Sequence, residues 1–528
     1  MPQTVPMNPV NDVLFRDVLA ERARTEPDAP YLKFQDEIYT IADINRAANK
    51  VAHALLAQGL RPGDRVGLML PSHPDHIIAI FATMKAGLVR VPVNVHAKGP
   101  SLQHYFTAYD LRLLVADAQY RGALDEAFDA VAAPPVLWRG TGEPDAPESY
   151  EAQVLSASEA EPATQFGPDD ILALTPSSGT TGAPKGVLKS DRTLRAGPMA
   201  VLNITDAREG DVFLLWEPLH HGAGVAVIIA AVLGKVTLAM AERFSASGFW
   251  NDVRRYEVTH IHYLGGVLPL LLKQAPSPLD RQHKVRIAWG GGCPPEIWAE
   301  VEARFGVTLR EGYGLSELIT FVTLNKEGVV GSCGRPVALY DLRVVDDAGQ
   351  EVPRGETGEI VARARQKGLE FLGYFRNEQT ARDTVRDGWL LTGDLARQDA
   401  QGYLFYAGRK KEMLRRRGIN ISAWEVETVV NKHPDVAESA LIGVPSPLGE
   451  DDLKIVVKLV EGVDFAPLDL IRFCETRMPY YQVPRYVECI GEFPKTPTQR
   501  IRKKELSRGV EGAWDLEGSG HSLTRKAR

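Results

Sequence analysis

Residues 174–186 read Leu174-Thr175-Pro176-Ser177-Ser178-Gly179-Thr180-Thr181-Gly182-Ala183-Pro184-Lys185-Gly186. An apolar run, Ile171 to Leu174, leads into them and predicts a buried strand. Glycines let backbone N–H groups converge on an anion, hydroxyls add further donors, and Lys185 supplies a mobile positive charge. The stretch therefore predicts a phosphate-binding loop, with a Gly/Ser/Thr-rich surface turn as the alternative.

The loop is not a Walker A motif. That motif requires G-x-x-x-x-G-K-[ST], whereas Lys185 follows a proline and precedes a glycine. The next residues, Val187 and Leu188, are apolar and begin with a β-branched side chain, which favours a strand over a helix start. We predict the order strand, loop, strand.

Length and composition indicate a large cytoplasmic protein. At 528 residues the chain has room for about three or four domain-sized units. The net charge of −7 argues against general nucleic-acid binding, and the four scattered cysteines argue against a disulfide framework or a CxxC metal site. The N-terminus lacks a signal-peptide pattern, and the longest apolar run, near 225–233, is too short to span a bilayer. We expect a cytoplasmic monomer or homodimer without a membrane span.

Helix and strand patterns alternate through about the first 330 residues. Thr40 is the expected N-cap of an amphipathic helix that ends near Gly59. The other predicted elements are strands 65–70, 89–95, 113–116, 212–215, 258–264 and 285–289 and helices 74–85, 101–108 and 296–305. Such alternation implies βαβ units and mostly parallel sheets covered on both faces. Residues from about 135 to 165 predict a surface connection.

The helical period fades after Gly331, and short β-rich pieces continue to about Tyr406. A charge-rich segment then leads to a helix over 423–431 and strands over 437–444 and 453–460. We predict an α/β fold in three parts. Residues 1–410 form a large N-terminal domain of two doubly wound α/β subdomains plus a distorted β-barrel, 411–508 a small α+β C-terminal domain, and 509–528 a poorly ordered tail.

A second motif, Glu311-Gly312-Tyr313-Gly314-Leu315-Ser316-Glu317, follows a strand-like run. The ring of Tyr313 can stack on a purine, and Glu317, one residue after a hydroxyl, can hold Mg²⁺ on a triphosphate. Alone, the pattern Y-G-x-S-E is more often an ordinary loop.

Two further places suit a nucleotide. Gly291 and Gly292, in a run of three glycines after Trp289, permit close backbone approach by a flat group, and they also suit a tight strand-to-helix turn. Asp394 can accept from both hydroxyls of a ribose, and Arg409, fifteen residues later, is a cation within possible reach of the nucleotide. Each of these two charges alone would be routine at a surface.

Together these motifs resemble those of the adenylate-forming superfamily, which contains acyl- and aryl-CoA synthetases, luciferases and nonribosomal peptide synthetase adenylation domains. The resemblance covers about residues 14–508 and is greatest to acyl-CoA ligases similar to carnitine/crotonobetaine-CoA ligase. It implies catalytic roles for Thr180, Lys185, His221, Glu317 and Arg500, with Glu317 as the metal ligand. It implies nucleotide or CoA contacts for Thr175, Ser177, Ser178, Gly179, Thr181, Gly182, Gly291, Gly292, Glu311, Gly312, Tyr313, Gly314, Ser316, Asp394, Arg409, Lys411, Arg417 and Gly418.

Several of these assignments have a structural alternative. His221 would line the acyl site, or have a purely structural role. Lys411 would be the hinge about which the small domain turns, and the basic run 415–418 would contact CoA or form a solvated helix face. Trp289 would shorten the acyl pocket or belong to the core.

The chain departs from the family pattern at Gln499-Arg500, where Gly-Lys normally brings the adenylation lysine. Arginine keeps the charge, but its planar fork is not equivalent to an ammonium. The first half-reaction could be slower, or could use Lys495 or Lys503 instead.

The reaction implied by the resemblance is the joining of a carboxylic acid to CoA through acyl-AMP, with ATP and Mg²⁺. Two alternatives stay open: transfer of the acyl group to a carrier protein, and a nucleotide- or acyl-binding homologue impaired by Arg500. The sequence does not distinguish short or medium aliphatic, aromatic and betaine-like acids.

Overall fold

A computed structural model describes residues 4–142, 146, 148–176, 185–264, 266–416, 419–446, 451–495, 501–521 and 523. The chain divides into two compact units. The first comprises Met1–Leu342, Ala362–Leu390 and Gln401–Tyr403, and the second Arg343–Val361, Leu391–Ala400 and Leu404–Arg528. The domain boundary at residue 410 stays a prediction.

The helices run as follows: α1 Phe15–Thr25, α2 Ile41–Ala57, α3 Pro74–Ala86, α4 Gly99–Ala108, α5 Arg121–Phe128, α6 Tyr150–Leu155, α7 Asp191–Thr205, α8 Gly222–Gly234, α9 Phe249–Arg255, α10 Val267–Leu272, α11 Pro295–Phe305, α12 Glu378–Thr384, α13 Ala423–Val430 and α14 Pro467–Glu475. Short 3-10 helices lie at Ala118–Tyr120, Lys410–Glu412 and Lys503–Glu505.

The strands are β1 Pro30–Phe34, β2 Glu37–Thr40, β3 Arg65–Met69, β4 Val89–Pro92, β5 Leu113–Asp117, β6 Val136–Arg139, β7 Ile171–Pro176, β8 Gly186–Ser190, β9 Val212–Leu215, β10 Thr237–Met240, β11 His260–Leu264, β12 Ile287–Gly291, β13 Thr308–Tyr313, β14 Thr323–Asn325, β15 Arg335–Pro336, β16 Tyr340–Val345, β17 Thr357–Ala364, β18 Val385–Arg386, β19 Trp389–Gln398, β20 Leu404–Arg409, β21 Met413–Arg416, β22 Ile419–Ser422, β23 Val436–Pro445, β24 Asp451–Leu459, β25 Tyr486–Cys489 and β26 Trp514–Asp515.

The amphipathic helix predicted behind Thr40 is α2. The Thr40 hydroxyl accepts a hydrogen bond from the Asp43 backbone N–H, and the Asp43 carboxylate accepts one from the Thr40 backbone N–H. This capping box satisfies two donors that a helix start leaves unpaired. Its apolar side, including Ile44, Ala48 and Val51, is buried.

Two large sheets organise the first unit. One has the order β6-β5-β3-β4-β7-β8, and its ladders are parallel except for the last, where β8 runs antiparallel to β7. The other has the order β15-β14-β13-β12-β11-β9-β10-β1-β2 and is parallel from β13 to β1. The predicted doubly wound α/β architecture is confirmed. The expected surface connection over 135–165 contains β6 and α6.

A buried cluster packs the nine-stranded sheet against α9, α10 and α11. It includes Phe249, Trp250, Trp298, Phe305 and Leu309. Ring contacts within it include Trp250 on Phe305, with centroids 4.7 Å apart. This packing fixes the ends of β12 and β13, which carry the candidate site.

The β-rich stretch after residue 331 contributes a sheet of order β16-β17-β19-β18, with β20 on β19. Within the second unit, β23, β24, β25 and β26 form one sheet, and β21 pairs with β22 in a hairpin. Apolar residues of α13 and α14, among them Val426, Leu470 and Ile471, are buried against β23 and β24. The small α+β part of the prediction is confirmed.

Two expectations for the second unit are wrong. The tail from residue 509 was expected to be poorly ordered, but Trp514–Asp515 is a strand that pairs antiparallel with β25. Arg485 explains its position, because the guanidinium forms two hydrogen bonds, 3.0 and 3.1 Å long, to the Asp515 carboxylate. The alternative of a solvated helix face does not hold for the described part of the basic run, since residues 415 and 416 end strand β21 and Arg416 is buried against Asp452, 3.2 Å away.

Candidate active site

The predicted phosphate-binding loop connects two neighbouring antiparallel strands. Thr175 pairs with Val187 and Pro176 with Gly186, so β7 and β8 lie side by side at the two ends of the loop. The two strands expected on either side of the predicted loop are confirmed. Ser177, Ser178, Gly179, Thr180, Thr181 and Gly182 lie outside the described residues.

Lys185 stands at the start of β8, and its Nζ lies 5.0 Å from the ring centroid of Tyr374. Tyr374 belongs to a segment that runs along β8. The Leu188 N–H donates to the Gly373 carbonyl at 3.0 Å, and the Phe375 N–H donates to the Gly186 carbonyl at 2.8 Å. Tyr374 is therefore fixed by backbone hydrogen bonds to the strand that closes the loop.

The Tyr374 hydroxyl donates a 2.9 Å hydrogen bond to Oε1 of Glu317, the predicted metal ligand. Burial, and after it the Glu317 charge, raise the pKa of Tyr374, so that its hydroxyl remains a donor at neutral pH. Lys189 of β8 donates to the carbonyl of Leu318, the next residue along. Tyr374, which is paired with β8, and Lys189, which belongs to it, thus both hold the segment that carries Glu317.

The residues around Glu317 suit a magnesium ion on a nucleotide. A carboxylate has about four lone-pair sites, and the Tyr374 hydroxyl uses one of them. Mg²⁺ in nucleotide sites is typically held by one or two carboxylates together with phosphate oxygens and water. Within the described chain, no cluster of three or more His, Cys, Asp or Glu side chains could hold a metal by itself.

Gly291, Gly292 and the 311–314 stretch lie at the carboxyl ends of two adjacent parallel strands, β12 and β13. Ligands of open α/β sheets bind outside such ends. Gly312 and Gly314 also lie where a larger side chain would clash with its neighbours. A Cβ on Gly312 would lie 2.4 Å from the Phe321 ring and one on Gly314 only 2.0 Å from the Thr320 carbonyl oxygen. For Gly291 and Gly292, both alternatives, close approach by a flat group and a tight turn, are compatible with their place at the end of β12.

Glu311 points into the protein. It is 4% exposed, and its Oε1 accepts hydrogen bonds from the Cys293 N–H at 2.6 Å and the Tyr263 hydroxyl at 3.2 Å. Burial raises its pKa to about 7. Its neighbour Tyr313 is also buried, with its backbone N–H on the Thr323 hydroxyl at 3.1 Å. Glu311 thus joins β13 to the turn after Gly292, and its contact with the nucleotide stays a prediction, as does that of Ser316.

The predicted histidine, His221, is exposed and caps α8, its Nδ1 accepting from the Ala223 N–H at 3.3 Å. Its neighbour His220 points inward, and no described group hydrogen-bonds its Nε2. Burial lowers the pKa of His220 to about 3, which keeps the ring neutral. The capping contact gives His221 a structural role, and its predicted acyl-site role stays open.

Trp289 is buried beside the His262 ring, with centroids 4.1 Å apart. His262 is in turn paired with Glu217, and both are almost fully buried. This packing agrees with the interpretation that Trp289 belongs to the core.

In the second unit, Asp394 and Arg409 face one another across β19 and β20. Arg409 Nε lies 3.1 Å from Asp394 Oδ1, and Asp394 is 3% exposed. The structure thus brings together two residues that the sequence proposes separately for the nucleotide. Lys411 is exposed, whereas its neighbour Lys410 pairs with Glu359 at 2.8 Å.

Both lysines considered as replacements for the usual adenylation lysine form ion pairs. Lys503 lies 2.8 Å from Glu427 and 3.2 Å from Glu412. Lys495 lies 2.7 Å from Glu438. Arg417, Gly418 and Arg500 lie outside the described residues.

Tyr374 and Lys189 are the residues of this site that sequence reasoning missed. No spacing along the chain connects Tyr374 with Lys185 or Glu317, because only the pairing of residues 373–375 with β8 brings them together. Lys189 did carry a signal, since a lysine within a short strand next to apolar Val187 and Leu188 is unusual unless its charge is paired.

Comparison with known proteins agrees with this geometry. The profile of the family described as AMP-binding enzyme matches residues 19–375, and that of the AMP-binding enzyme C-terminal domain matches residues 425–500. The medium/long-chain-fatty-acid–CoA ligase FadD6 of Mycobacterium tuberculosis is 32% identical over 524 residues, which are 95% of this chain and 86% of that protein. The crotonobetaine/carnitine–CoA ligase of Salmonella agona is 29% identical over 482 residues, 89% of this chain and 93% of that protein.

Two solved structures are similar throughout. The anthranilate CoA ligase AuaEII in complex with anthranoyl-AMP has a TM-score of 0.84 and 27% identity, covering 94% of this chain and 96% of its own. ATP-bound MatB from Rhodopseudomonas palustris has a TM-score of 0.83 and 25% identity, covering 93% and 98%. In the part of the chain that the structure describes, no helix is long and apolar enough to cross a membrane.

Proposed function

Since the chain belongs to the AMP-binding enzyme family and is an AMP-forming acid–CoA ligase, we propose that the residues around β7, β8 and the end of β13 carry out its first reaction, the joining of a carboxylic acid to AMP. The observation that carries this assignment is the convergence of Lys185 and Glu317 on one side chain, Tyr374, beside the ends of the phosphate-binding loop.

In this reaction a carboxylate oxygen of the acid attacks the α-phosphorus of ATP, and the bond to pyrophosphate breaks. Lys185 would neutralise phosphate charge at the start of β8, and Glu317 would hold the magnesium ion that ATP brings. The ion supplies positive charge that offsets the charge of the leaving pyrophosphate. Charge that develops in the transition state is stabilised most by groups that are already in position. The contacts of Tyr374 would hold Lys185 and Glu317 in position.

In the second reaction the CoA thiolate attacks the acyl carbon, and the bond to AMP breaks. Asp394 would accept the ribose hydroxyls, with Arg409 holding its carboxylate in place. His221, the turn at Lys411, and Arg417 and Gly418 keep the roles predicted from the sequence.

We assign the adenylation cation to Arg500 rather than to Lys495 or Lys503. Moving either lysine to a substrate would leave a carboxylate of its own unit without its partner, Glu438 in one case and Glu427 in the other. The Glu427 side chain is only 14% exposed, and burial raises the pKa of its carboxyl, so separating it from Lys503 would be costly.

The test is acid-dependent exchange of pyrophosphate into ATP. Arg500→Ala is expected to lower the exchange rate by about 10²–10³-fold, as loss of one transition-state donor does. Lys495→Ala, and Lys504→Ala as an exposed control from the same segment, are expected to change it little. Loss of exchange in Lys495→Ala with retention in Arg500→Ala would move the role to Lys495.

The acid is best sought with a panel, because the relatives are named for fatty, betaine and aromatic acids. A cytoplasmic location and a monomeric or homodimeric state remain predictions from the sequence.

A further inference from the structure

We infer that Tyr374 is a positioning residue of this site, orienting Glu317 with its hydroxyl and supporting Lys185 with its ring. The inference rests on the proposed function for the roles of Glu317 and Lys185. In this role Tyr374 would act through these two side chains, which would themselves contact the nucleotide and its magnesium ion.

The backbone holds Tyr374 rigidly. Residues 373–375 form an antiparallel bridge with β8, in which Val187 pairs with Tyr374 itself. The ring is 7% exposed and contacts Phe371 edge-on, with centroids 4.9 Å apart. A side chain fixed in this way can fix the groups it touches.

The hydroxyl acts on Glu317. Its 2.9 Å hydrogen bond holds Oε1, which orients the remaining acceptor sites of the carboxylate. Lys189 holds the following peptide through the Leu318 carbonyl, so the Glu317 segment is fixed through both its side chain and its backbone. Hydrogen bonds of this kind behind a metal ligand typically change metal affinity by about 10–100-fold when removed.

The ring acts on Lys185. A Lys ammonium within about 6 Å of a ring centroid is attracted by the ring face, and here the distance is 5.0 Å. Because the hydroxyl contacts Glu317 and the ring contacts Lys185, two substitutions separate the effects. Tyr374→Phe removes the hydrogen bonds of the hydroxyl, to Glu317 and to Thr384, and keeps the ring beside Lys185, whereas Tyr374→Leu removes both the hydroxyl and the ring.

The experiment is calorimetric titration of ATP into the full chain, once with excess Mg²⁺ and once with a chelator. Tyr374→Phe is expected to reduce the Mg²⁺-dependent gain in ATP affinity by about tenfold and to leave the affinity measured in chelator unchanged. Tyr374→Leu is expected also to weaken binding in chelator, by about threefold.

Tyr340→Phe is the matched control, because the Tyr340 hydroxyl is also buried and donates a 2.8 Å hydrogen bond, but to the Leu369 carbonyl. It should lose stability without changing the Mg²⁺-dependent gain. The inference would be overturned if Tyr374→Phe kept the wild-type Mg²⁺-dependent gain in ATP affinity, or if Tyr340→Phe lost as much of that gain as Tyr374→Phe. Neither acid nor CoA is present, so this result is independent of whether acyl-AMP is formed, which pyrophosphate release measures separately.

Discussion

Replacing Glu311 with glutamine removes a buried titratable group and nearly preserves its shape. The amide oxygen of Gln can accept the same hydrogen bonds from the Cys293 N–H and the Tyr263 hydroxyl. The difference is that glutamine cannot ionise, whereas ionising the buried Glu311 carboxyl destabilises the folded chain. Burial raises the pKa of this carboxyl from 4.5 to about 7.

The sign follows from proton linkage. Below about pH 4.5 the carboxyl is protonated in both the folded and the unfolded chain. Between 4.5 and 7 the unfolded chain releases its proton first, so the stability of the wild type falls as pH rises. Above pH 7 the loss is complete, and the ionised Glu311 lowers the free energy of unfolding of the wild type by ~3 kcal/mol, as a pKa difference of this size implies. Glu311→Gln should therefore be more stable than the wild type by up to ~3 kcal/mol at pH 8, and by less than ~1 kcal/mol at pH 5.

The assay is urea unfolding from pH 5 to pH 8.5, followed by tryptophan fluorescence, since Trp250 and Trp298 lie in the adjoining core. Glu300→Gln, on the exposed side of α11, is the control and should show no such trend. A stability difference that does not vary with pH, or a glutamine variant less stable than the wild type at pH 8, would refute the reasoning.

Three other substitutions test the packing around the site and in the second unit. Gly314→Ala should abolish stable folding or cost several kcal/mol, seen as a lowered Tm, because its Cβ would lie 2.0 Å from the Thr320 carbonyl oxygen; an unchanged Tm would contradict the packing. Arg485→Ala should release the strand at 514 from β25, because the bond pair to Asp515 is lost, and should speed proteolysis near the C-terminus; equal cleavage would count against that role. Burial lowers the pKa of Lys189 to about 8, so wild-type stability should rise between about pH 8 and 10.5 as the unfolded chain keeps its proton longer. Lys189→Met should remove that rise in urea midpoints, and a variant that keeps it would point to another group.

The sequence predicts the parts of this fold that depend on local patterns. Alternating apolar periods placed β3, α3 and β9 within a residue or so, and Thr40 marked the start of α2. The proline and glycine around Lys185 do not fit a Walker A loop, and apolar Val187 and Leu188 correctly favoured a strand, β8, over a helix.

Features that depend on contacts between distant segments were not predictable in the same way. Tyr374 lies 57 residues from Glu317 in the chain, and only its pairing with β8 brings the two together. The strand at 514 follows a glycine-containing polar stretch, and its position depends on Arg485 rather than on its own composition. The inward direction of Glu311 was equally hidden, because a charged residue beside glycines is normally exposed.

The most direct measurement is AMP, pyrophosphate and acyl-CoA release from ATP over a panel of fatty, aromatic and betaine-like acids, with and without CoA. The wild type is expected to release AMP and pyrophosphate only when an acid is present, with AMP and acyl-CoA formed in equal amounts once CoA is added. ADP formation, AMP release independent of acid, or acyl-AMP that CoA does not discharge would contradict an AMP-forming acid–CoA ligase.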